Sequence, residues 1–73
     1  MHTRLSVQLD IAIADIDVLI QEISKAGEKL FAGEEGFNTP NAEDYLIRIE
    51  NILVHLDTAE ANLNYLREAL NDN

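Results

Sequence analysis

The chain has 73 residues, of which 14 are acidic and five basic, giving a net charge of −9. That length allows one small domain. The charge disfavours direct contact with nucleic acid or an anionic membrane surface, since both need clustered Lys and Arg, and the absence of cysteine excludes disulfides and thiolate metal sites and fits a reducing cytosol.

Apolar residues make up 47% of the chain, enough to drive folding. The most apolar run, Ile11 to Ile20, carries Asp15 and Asp17 and falls short of the roughly 20 residues that span a bilayer. Asp10, Asp15 and Asp17 also interrupt the region where a secretory signal would sit. A cytoplasmic protein with no membrane contact is the expectation.

Residues 1–3 are expected to fray, with Thr3 or Ser6 capping the first helix through a hydroxyl. That helix is predicted over residues 4–32. Leu9, Ile13, Ile16, Ile20, Ile23, Gly27 and Leu30 alternate spacings of four and three, a seam sustained for three heptads. Val7, Ile11, Ala14 and Val18 form a second, shorter stripe on the opposite side. The rows Asp10, Asp17, Ser24 and Gln8, Asp15, Glu22 separate the two stripes. A run this long is a helix rather than a strand, despite its β-branched residues.

Residues 33–38, GEEGFN, read as the connection. Gly33 is the expected helix stop, and Phe31 and Phe37 are placed to plug the open end of a hairpin. Thr39-Pro40 is a suitable cap and first turn for a second helix predicted over about 40–70, with Glu43 and Asp44 complementing its dipole. Its predicted seam is Tyr45, Ile49, Ile52, Leu56, Ala59, Leu63, Leu66 and Leu70, widened by Leu46 and Leu53. Ile47 and Val54 fall outside it as a further apolar patch. The last residues, 71–73, should fray.

Two helices of this length joined by a short loop lie antiparallel. The fold class is therefore all-α: a coiled-coil-like two-helix hairpin forming one domain over residues 1–73. A lone hairpin is half of a four-helix bundle, so dimerisation or a helical protein partner is expected to complete it. The residues left to bind that partner are Val7, Ile11, Val18, Ile47 and Val54.

Catalytic signals are absent. His2 and His55 are the only histidines, and neither belongs to a metal-binding spacing. Asp15 with Asp17, Glu34 with Glu35, and Glu43 with Asp44 read as solvated faces, since acid–base work needs two carboxylates in a partly dry cleft. No glycine loop suits a phosphate. No enzyme activity, metal or cofactor is expected.

Thr3-Arg4-Leu5-Ser6-Val7, the span from Pro40 to Tyr45, and Ala59-Glu60-Ala61-Asn62-Leu63 give the chain a layout that resembles the helical-hairpin co-chaperones of type III secretion needle subunits. The resemblance covers most of the chain in layout and few residues in identity, and the loop here is longer than the family pattern. It implies a hairpin that pairs with a tetratricopeptide-like chaperone through Val7, Ile11 and Val18 and helps hold a needle subunit soluble in the bacterial cytosol. Two other readings compete with it. One is a small acidic phage- or plasmid-encoded inhibitor that imitates nucleic acid with Asp10, Asp17, Glu50 and Asp57. The other is a structural homodimer forming a four-helix bundle.

Overall fold

The computed structural model describes residues 4–71. It is an all-α helical hairpin: α1 spans Arg4–Ala32 and α2 spans Ala42–Asn71. The hairpin is elongated, 52 × 17 × 13 Å. Three cross-helix relationships set an antiparallel register. Arg67 lies 3.4 Å from Asp10, Glu60 meets Asp17, and a Cβ added to Gly27 would sit 3.4 Å from the Ile49 side chain. His2, the Thr3 cap and the fraying expected of residues 1–3, 72 and 73 lie outside the described residues.

The α1 seam is the one its spacing predicts. Leu9, Ile13 and Leu30 are buried, and Ile16, Ile20, Ile23 and Gly27 are half-buried. Ser6 belongs to that seam as well. It is buried inside α1, so it does not cap the helix from outside.

The turn is built by two glycines in the left-handed region. Gly33 has φ 67° and Gly36 φ 88°. The Gly33 amide donates to the Leu30 carbonyl and the Glu34 amide to that of Lys29. This pair of bonds closes the end of α1 in a Schellman arrangement, which needs a positive φ at the residue just past the helix. The Phe37 amide then donates to the Glu34 carbonyl at 2.8 Å, closing a four-residue turn with Gly36 at the position that favours positive φ in a type II turn.

Pro40 and Asn41 sit in a turn leading into α2, with Ala42 N–H donating to the Thr39 carbonyl. The first helical bond runs from the Tyr45 amide to the Asn41 carbonyl. The Thr39 hydroxyl accepts only a long bond, 3.4 Å from the Asn41 amide.

The expected plug of two phenylalanines is only half present. Phe37 is half-buried, but Phe31 is 83% exposed, more than any other large apolar side chain among the described residues. Phe31 follows the seam residue Leu30 directly, and one helical step rotates it about 100° off the interface.

Candidate interaction surfaces

The α2 seam differs from its prediction, and the difference determines the surface. Ile49, Leu56, Leu63 and Leu70 form one seam row, as expected, and are half-buried. The second row lies one residue further on: Leu46, Leu53, Glu60 and Arg67 are half-buried. Tyr45, Ile52 and Leu66 are 44%, 44% and 49% exposed. Hydropathy favours the row Tyr45, Ile52, Ala59, Leu66, because the alternative contains a glutamate and an arginine. The fold turns the mixed row inward and leaves the apolar row at the edge.

Two acidic residues of α1 meet the polar members of that inward row. Arg67 donates to Asp10 at 3.4 Å and to the Asn64 side chain at 2.7 Å. Its aliphatic stem can cover the seam while its head stays wet. Glu60 meets Asp17. The Oε2 atom of Glu60 is cut off from water and has no donor beside it. Two ionised carboxylates offer each other no proton, so a proton on Glu60 is what turns the contact into a hydrogen bond. The Glu60 carboxyl is accordingly pushed above the ordinary glutamate range, first by that hydrogen bond with Asp17, then by loss of water and by the charges of Asp17 and Asp57.

The flanks of the seam sort by chemistry. On one side lie Asp10, Asp17, Glu50 and Asp57, all exposed. On the other lie Leu5, Ala12, Leu19 and Ala26 from α1 and Tyr45, Ile52, Ala59 and Leu66 from α2, with no charged residue in either row. In an antiparallel pair, the corresponding flanking rows of the two helices run along the same edge. Ala26 and Tyr45 line one open groove of about 420 Å³, together with Leu30, Phe37, Thr39 and Ile49. Lys29 Nζ stands 5.6 Å from the centre of the Phe37 ring, a cation–π distance.

The five residues expected to bind a partner are all open to water. Val7, Ile11 and Val18 are 47%, 51% and 56% exposed, and Ile47 and Val54 are 58% and 61% exposed. They do not form a single patch. Val7, Ile11 and Val18 run along the back of α1, while Ile47 and Val54 lie on the far side of α2. The apolar edge between the two backs was not singled out by sequence reasoning. Its signal was a seven-residue recurrence of Leu and Ala beside the α1 seam: Leu5, Ala12, Leu19, Ala26.

Among the described residues, no group of three or more His, Asp or Glu side chains is placed to hold a metal ion. His55 is exposed. No helix among them is long and apolar enough to cross a membrane. Comparison with protein-family models, with curated proteins and with solved structures finds no match for this chain.

Proposed function

We propose that the protein is a non-enzymatic interaction module that completes its helical core against other protein. One observation carries this reading. Among the described residues, three large apolar side chains are buried, while twelve stand 44% or more exposed. Extended apolar surface of this kind marks a protein interaction site.

The back of α1 offers Val7, Ile11 and Val18 at helical spacing to a second helix, as helix-in-groove recognition requires. In its specific form, the reading is the one the resemblance implies. The hairpin acts in the bacterial cytosol as a co-chaperone, its partner is a tetratricopeptide-like helical repeat, and the pair keeps a needle subunit soluble.

The test is capture from host extract on the tagged full chain, comparing wild type with Ile11→Glu. A helical-repeat protein retained by wild type and lost with Ile11→Glu, at unchanged helicity by circular dichroism, is the expected result. Equal capture by both proteins would remove the α1 back stripe from the reading.

A further inference from the structure

We infer that the apolar edge of the hairpin is a homodimer interface, where a second copy docks edge to edge to close a four-helix bundle. This goes beyond the foreign-partner reading, because it uses a different face. The edge looks out from between the helices, whereas Val7, Ile11 and Val18 point away from α2 and stay open in the dimer.

The first argument is area. A compact monomer of 8.2 kDa exposes about 4,500 Å², whereas this chain exposes 5715 Å². Specific interfaces bury about 800 Å² on each partner. A face up to 52 Å long and 17 Å wide has room for that.

Shape is the second argument. The cross-helix register places Ala12 level with Leu66, Leu19 with Ala59, and Ala26 with Ile52, as the Asp10–Arg67 and Gly27–Ile49 proximities require. Each level pairs one small and one large side chain. A two-fold axis parallel to the helices lays α1 of one copy over α2 of the other at the same height, and the interface is isologous. Each large residue of one copy then faces the small residue of its partner, the interdigitation that close packing demands.

Charge is the third: the edge rows hold no charged residue, whereas the opposite flank holds Asp10, Asp17, Glu50 and Asp57, so a second copy of this acidic chain meets less repulsion at the apolar edge. The row outside the α1 edge carries Asp15, Glu22 and Lys29, and the row outside the α2 edge carries Arg48, His55 and Asn62. The same axis brings Glu22 opposite His55, Asp15 opposite Asn62 and Lys29 opposite Arg48 of the second copy, so these outer rows hold one like-charge pair and do not drive the contact.

Sedimentation equilibrium on the full chain tests the proposal, with Leu19→Glu and Ile11→Glu as variants. Wild type and Ile11→Glu should both show twice the chain mass of 8.2 kDa, and Leu19→Glu should show the single mass with its helicity retained. A cross-link keeps the test decisive where Leu19→Glu unfolds. The chain has no cysteine, so a mixture of Leu19→Cys and Ala59→Cys chains should oxidise chiefly to the mixed disulfide dimer. A monomeric wild type up to its solubility limit would overturn the inference. So would a dimer broken by Ile11→Glu and not by Leu19→Glu, or the absence of the mixed disulfide. A monomer that still captures a host protein through Ile11 would sink the dimer and leave the functional reading standing. A dimer that captures nothing would do the reverse.

Discussion

Asp17 on α1 and Glu60 on α2 place two carboxylates against each other across the hairpin, with one Glu60 oxygen shut away from water. The contact is relieved when Glu60 carries a proton. In the unfolded chain both groups are solvated and Glu60 titrates in its ordinary range. The folded state therefore binds more protons than the unfolded state between that range and the raised value, and stability must fall as pH rises through it. Thermal unfolding followed from pH 7 down into the acid range should show the midpoint climbing. Glu60→Gln should raise the midpoint at pH 7 and flatten the climb. A midpoint that falls steadily on acidification in the wild type would contradict this account.

Gly33 and Gly27 should respond oppositely to alanine. Gly33 holds φ 67°, where a Cβ costs about 1–2 kcal/mol, so Gly33→Ala should destabilise by about that amount. Gly27 is mid-helix, and an added Cβ would meet Ile49 at 3.4 Å, an ordinary contact distance. Gly27→Ala should therefore stabilise by about 0.5–1 kcal/mol through helix propensity. Urea unfolding of both variants checks the contrast.

The buried part of the seam is small, so single truncations there should be severe. Ile13 is 8% exposed, and Ile→Ala at such a site costs about 2–5 kcal/mol. Stability for a domain of this size is on the order of 5 kcal/mol, so Ile13→Ala should remove about half of it or more and lower the melting midpoint sharply. Val54→Ala, at a site 61% exposed, should stay within about 0.5 kcal/mol of wild type. Circular dichroism melting curves decide both.

The Arg67–Asp10 pair should contribute little. Both partners are partly exposed, 35% and 52%, and pairs of this kind give about 0–1 kcal/mol at most, screened by salt. Arg67→Met keeps the stem over the seam and removes the charge. It should be neutral or mildly stabilising in urea unfolding, and a large loss of stability would show that the guanidinium holds the seam together.

The hairpin and the α1 seam were legible because one periodicity dominates residues 9–30, and no competing row of α1 is as apolar. In α2 the period was equally clear but the phase was not. Ile49, Leu56, Leu63 and Leu70 fit two seams, and hydropathy chose the row with Tyr45 and Ile52 over the row with Glu60 and Arg67. What decides between them is tertiary. Asp10 meets Arg67 and Asp17 meets Glu60, and no pattern within a single helix carries that information. The exposed positions of Val7, Ile11, Val18, Ile47 and Val54 followed from spacing alone, since each lies well off either seam. The apolar edge stayed hidden because it is divided between two helices, and half of it had been assigned to the interior.

The sorting of acid to one flank has a consequence for encounters in solution. Asp10, Asp17, Glu50 and Asp57 give the hairpin one flank lined with acid and one whose inner rows carry no charge. Two such molecules drifting together feel repulsion that is weakest when their acidic flanks point apart. Diffusion alone, steered by that field, turns their bare sides toward each other before any side chain touches.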